Sequence, residues 1–141
     1  MIVVAIIGLL AAMAIPAYQG YIAKAKAAAA YADIAIGKTG YEVAVQNNAA
    51  NDAAEYLVKS GLAEETGNCS SISAAVPGAN TAVITCTIRS PGYLAGASGT
   101  APTIALYRTT KGRFHCVTSG FAGAEYIPPG CSDHAGSDDA S

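Results

Sequence analysis

The hydrophobic pattern divides the chain into an apolar front and a patterned remainder. From Met1 to Ala23 there is no charged side chain, in MIVVAIIGLLAAMAIPAYQGYIA. Met1, Ile2, Val3, Val4, Ile6, Ile7, Leu9, Leu10, Met13 and Ile15 leave no polar face on a helix, and such a helix must be enclosed by lipid or by protein. The pattern then becomes amphipathic. Tyr31, Ile34, Tyr41 and Val45 fall on one helical face, while Lys24, Lys26, Asp33, Lys38 and Glu42 take other faces. Ala27 to Ala30 favour helix and are small enough for other backbones to approach. Gly37 and Gly40 weaken a helix, so a bend is expected near them, and the stop is expected at Gln46-Asn47-Asn48.

Beyond the long helix the signals shorten. Residues 52–61 read as a short helix, capped by Asn51 or Asp52, with Glu55 in its first turn and Gly61 after its end. Residues 64–67 and 70–80 read as loops, with Pro77-Gly78 as a turn. Residues 82–88 are rich in β-branched side chains and read as a strand. Residues 103–109 and 113–118 read as a hairpin across Lys111-Gly112. Three antiparallel strands with one face on the helix make an α+β unit, and the polar, acidic stretch 132–141 reads as a mobile tail.

Three environments compete for the front segment. A cleaved secretion signal is disfavoured, because no Lys or Arg precedes the apolar run and helix-favouring sequence continues past it. A simple membrane anchor needs about 20 apolar residues, which the segment barely supplies. Lys24 and Lys26 would then mark the cytoplasmic side. The third environment is a bundle of copies of the same rod. Pro16 lacks an N–H and crowds the Ala12 carbonyl, and Gly8 is a poor helix former. Together they predict a stretch, Gly8 to Pro16, that loosens while its flanks stay helical.

Composition narrows the choice. The chain has 141 residues and a net charge of -2, which gives no general drive towards nucleic acid or anionic membranes. Four cysteines, Cys69, Cys86, Cys116 and Cys131, contain no C-x-x-C pair. In a small domain they read as disulfides and an oxidising compartment, which contradicts a cytoplasmic head. Four cysteines allow three connectivities. The sequential pairing, Cys69–Cys86 and Cys116–Cys131, is favoured because each pair closes a short loop. A metal site at His115 and Cys116 does not match zinc-ligand spacing, and no cofactor is expected.

No catalytic constellation emerges. His115 reads as a strand histidine, His134 lies in the tail, and Gly96-Ala97-Ser98-Gly99 misses the nucleophile-elbow pattern by one residue. Asn68-Cys69-Ser70 fits an N-glycosylation sequon, but its cysteine is expected to be bonded. Arg108, Lys111 and Arg113 form a candidate anion patch around the hairpin, with DNA as a disfavoured partner and a solvated strand edge as the plainer account.

Residues 1–26 closely resemble the N-terminal helix of bacterial type IV pilins, with a sequence typical of the type IVa group. In that family the mature chain begins Phe-Thr-Leu-Ile-Glu-Leu with a methylated amine. Met1 corresponds to the seventh residue of such a chain, so the resemblance implies six residues ahead of it. The family's Glu, which pairs with a neighbour's amine, has no counterpart here. The stretch from Cys116 to Cys131, ending Tyr126-Ile127-Pro128-Pro129-Gly130-Cys131, resembles the disulfide-closed loop near the pilin C-terminus.

The resemblance implies a pilin fold. A filament-core or transmembrane helix spans 1–23, its amphipathic continuation spans 24–46, and a globular head with antiparallel sheet, disulfide loop and tail spans 47–141. It implies a non-enzymatic major subunit, held in the inner membrane before assembly. The subunit polymerises, with assembly machinery, into a helical homo-oligomer at the cell surface. The filament would serve adhesion, twitching motility, DNA uptake or phage reception. It also makes a terminal serine, Ser141, a candidate for glycosylation. The alternatives are a minor pilin, a type II secretion pseudopilin and, from another class, a membrane-anchored periplasmic binding domain.

Overall fold

The computed structural model of the chain describes residues 1–134. Ser141 and residues 135–141 of the expected mobile tail lie outside the described residues. Helix α1 (Ile2–Ala35) runs through Gly8 and Pro16. After one residue, Ile36, still in right-handed helical geometry, α2 (Gly37–Gln46) continues it. The chain leaves α2 where the amides cluster, with Asn48 at φ 46°, a left-handed conformation that Asn tolerates better than most residues.

The helix buries Ala23, Ala27, Ala30, Ile34, Gly37, Tyr41 and Ala44, a stripe at spacings of three and four. Tyr31 and Val45 flank it half-buried. The glycines answer a steric demand. A Cβ on Gly37 would stand 2.5 Å from Leu62 Cδ1, and one on Gly40 would stand 2.7 Å from the Lys59 carbonyl oxygen. The chain around Leu62 thus packs directly on α2, at the cost of helix propensity that glycine carries.

Helix α3 (Ala53–Lys59) forms where its caps predict. Asp52 Oδ1 accepts from the Glu55 N–H at 2.9 Å, and the Glu55 carboxylate accepts from the Asn51 N–H at 2.7 Å. Gly61 follows at φ 71°.

The sheet contains β1 (Cys69–Ala74), β2 (Thr81–Ile88), β3 (Thr103–Arg108), β4 (Phe114–Ser119) and β5 (Cys131–Ser132), in that spatial order. The first four are antiparallel neighbours, and β5 lies parallel to β4. The β3–β4 turn carries Gly112 at φ 79°, as the Lys111-Gly112 signal required. Ile72, Ile84, Cys86, Ile88, Ile104, Leu106 and Cys116 form the core against the helix.

Two expectations are corrected. Residues 70–80 do not begin as a loop: Ser70 to Ala74 belong to β1. Its serines hide the strand, but Cys69 and Ile72 turn inward and the ladder to β2 holds it. Its outer edge is partly covered, since the Glu64 carbonyl accepts from the Ile72 N–H at 2.6 Å. The sheet also has more strands than the three expected, because β1 and β5 extend it on both sides.

Candidate functional site

The front of α1 receives no cover from the other described residues. All ten apolar residues expected to form a filament core (Met1, Ile2, Val3, Val4, Ile6, Ile7, Leu9, Leu10, Met13 and Ile15) are exposed. The first buried residue along the helix is Ala23. This rod is long and apolar enough to cross a membrane. Fully burying one such side chain contributes about 1.5–3 kcal/mol, so the rod carries a large unspent drive towards association with lipid or protein. Gly8 and Pro16 sit in its exposed part, helical in this single chain.

Where the rod meets the head, polar side chains clamp the two together. Lys26 Nζ donates to the Ser90 carbonyl at 2.5 Å. Asp33 Oδ2 accepts from Thr66 Oγ1 at 2.5 Å and from Asn68 Nδ2 at 3.1 Å. Further along, Arg108 on β3 grips Glu42 on α2 with two parallel contacts, Nε to Oε2 at 2.7 Å and Nη2 to Oε1 at 2.9 Å. Donation from Arg108 is the main reason that the Glu42 carboxyl titrates below its ordinary value, and the same contact raises the Arg108 guanidinium. Beside them, Tyr41 donates its hydroxyl to the Ala75 carbonyl at 2.6 Å, and burial first of all pushes its pKa up to about 12.

This arrangement corrects the expected anion patch. Arg108 is only 8% exposed and committed to Glu42, because the period-two strand that turns Ile104 and Leu106 inward turns Arg108 with them. Lys111 and Arg113 remain exposed at the hairpin, but the trio does not gather on one surface. Three of the helix polar residues, Lys26, Asp33 and Glu42, hydrogen-bond to the head. The alternating pattern of β3 was the available signal for Arg108. Nothing in the sequence paired it with Glu42, 66 positions away.

The cysteines pair sequentially. Cys69–Cys86 ties β1 to β2, and Cys116–Cys131 ties β4 to β5. The second bond closes the loop whose Pro-Pro-Gly-Cys ending the sequence displayed. The sequon amide of Asn68 is engaged by Asp33. His115 stacks on Tyr107, with ring centroids 5.5 Å apart. Among the described residues, no three His, Cys, Asp or Glu side chains gather to hold a metal.

This geometry, a bare apolar rod under a disulfide-tied head, agrees with comparisons to known proteins. Residues 23–132 match the family model described as pilin, a bacterial filament protein. The chain is 33% identical to fimbrial protein Q of Moraxella bovis, over 94% of this chain and 92% of that one. It is 35% identical to fimbrial protein EcpC of Eikenella corrodens, over 96% of this chain and 87% of that one. A type IV major alpha-pilin of Moraxella bovis matches over 32% of this chain at 51% identity. The chain belongs to the pilin family and is a type IV pilin, a structural subunit that polymerises into a bacterial surface filament.

Proposed function

We propose that this chain is the major subunit of its pilus and that its rod serves in two environments. Before assembly, the rod stands in the inner membrane with the head in the periplasm, where both disulfides form. The family's processing and export machinery sets that orientation against the pull of Lys24 and Lys26. During assembly the rods of many copies bundle as the filament core, and the heads form the shell. Heterologous contacts that do not close into a ring generate a helical fibre. Adhesion, twitching motility, DNA uptake and phage reception are the activities such a fibre would serve.

The observation that carries this reading is the exposure of every apolar side chain from Met1 to Ile15, an unbroken apolar run, whereas the exposed apolar residues of the head are scattered. The test is the intact mass, without reductant, of the dominant protein in filaments sheared from native cells. The reading expects this chain, lighter than its reduced form by the hydrogens of two disulfides. A chain that stays with the inner membrane and is absent from sheared fibres overturns it.

Within the filament, the helix between Gly8 and Pro16 unwinds to fit the packed core and lets the fibre extend. Two weak helix residues in one rod motivate this. A filament map with unbroken helix through both residues would refute it.

A further inference from the structure

Where the rod leaves the head, a cleft of about 130 Å³ opens between the helix and the loop after β2. Ile22 and Ala23 form its helical wall, Pro91 and Tyr93 face them, and Gln19 and Lys26 stand at the rim. Its size is comparable to the roughly 150 Å³ of an apolar cavity that admits a benzene ring. Ser90 sits at φ 46° and Gly92 at φ 54°, and for Ser90 that left-handed backbone is an unfavourable state. Its carbonyl is gripped by Lys26, while Leu94, fully buried, anchors the next turn in the core. Tyr93 is left pointing outward, 62% exposed, beside Ile22 at 46%.

A second observation comes from the glycines. Gly37 and Gly40 are required by contacts within the chain, but a Cβ on Gly20 would meet nothing within 4 Å. Gly20 costs the helix about 1 kcal/mol relative to Ala, and no contact among the described residues explains it. A bare backbone on a helix surface permits close approach of a second helix. Gly20 lies one residue from the cleft-lining Gln19, on the helix whose apolar run from Met1 to Ala17 ends just before the cleft.

We propose that the neck cleft is the socket for the rod of a second copy. One aliphatic side chain from residues 1–22 of the neighbour enters between Ile22 and Tyr93, and the neighbour's helix lies close over Gly20. The proposal rests on the reading that the rods bundle in the filament. It goes further by assigning each neck a place at which it registers the next subunit. The occupant is a rod rather than lipid because Gly20 presents bare backbone beside the cleft, which admits the close approach of a second helix.

The test places a photo-crosslinking phenylalanine analogue at position 93 of the full chain, in cells that make the filament. Irradiated, sheared filaments are digested and the adducts mapped. The expected result is an adduct joining position 93 to residues 1–22 of another copy. Filaments that form normally but give adducts only to lipid, to another head, or to nothing overturn the socket while leaving the bundle reading intact. Failure of the unmodified chain to appear in filaments overturns the bundle reading itself. As a second variant, Tyr93→Ala should lower the yield of sheared filament roughly tenfold, as loss of an interface anchor does, with unchanged disulfide-bonded subunit in the membrane. Unchanged yield contradicts the proposal.

Discussion

The two halves of the long helix differ in what their glycines and apolar residues touch. In the back half, Ala27, Ala30, Ile34, Tyr41 and Ala44 vanish under the sheet, and Gly37 and Gly40 are fixed by Leu62 and the Lys59–Ser60 backbone. In the front half the same kinds of residue are left uncovered by the other described residues: Leu9, Leu10 and Met13 are exposed, and Gly8 and Gly20 have open space where a Cβ would stand. One helix is therefore written for two partners. The back half finds its partner inside the chain, and the front half, on the proposed reading, finds it outside. Substitutions in the back should cost folding, and substitutions in the front should cost assembly alone.

Loss of the Cys116–Cys131 bond, by a paired change to serine, should test the head side most severely. The bond spans 15 positions, and its removal is expected to cost about 3 kcal/mol. Thermal unfolding of the full chain in detergent would measure it. Helicity of the rod should persist after the head has melted. A loss of both in one transition would erase the distinction between the halves.

The clamp between helix and sheet comes next. Arg108→Ala leaves the Glu42 carboxylate partly buried without its partner and should destabilise the head by about 2–3 kcal/mol in the same assay. Acid should act on the same contact. Glu42 titrates below its ordinary value near 4.5 in the folded chain, so the stability it contributes is present above that value. That stability is lost as pH falls through the lowered folded value. Glu42→Gln should flatten this part of the acid profile, and an unchanged profile would show that Glu42 is not its source.

The glycines give opposite signs. Gly40→Ala forces a Cβ against backbone and should cost about 1–3 kcal/mol of head stability. Gly20→Ala should instead gain about 1 kcal/mol of helix stability in detergent, while sheared filament yield falls. Equal effects on folding at both sites would break the comparison. The smallest expected effect is at Asp52→Ala, which removes the α3 cap at a cost of about 1 kcal/mol, measurable as a shift in the head's unfolding midpoint.

Much of this was legible in local sequence, and the gaps have physical causes. The uncharged run announced a rod, Asp52 and Glu55 announced α3, and the β-branched run announced β2. Strand β1 escaped because Ser70, Ser71 and Ser73 have no strand preference of their own, and only the ladder to β2 keeps them extended. Strand β5 is two residues held beside β4 at the cysteine that bonds them, so no periodicity exists to read. The Glu42–Arg108 clamp and the Lys26 grip on Ser90 join positions 66 and 64 apart, a proximity that arises only once the sheet has folded onto the helix.

The central claim, that the front half of the helix is built for partners outside its own chain, is most directly tested by a helical reconstruction of filaments sheared from native cells. The account predicts that residues 1–22, bare in the single chain, are buried among the rods of neighbouring copies at the filament axis. A filament in which those residues face solvent, or in which the heads alone make the contacts, would contradict it.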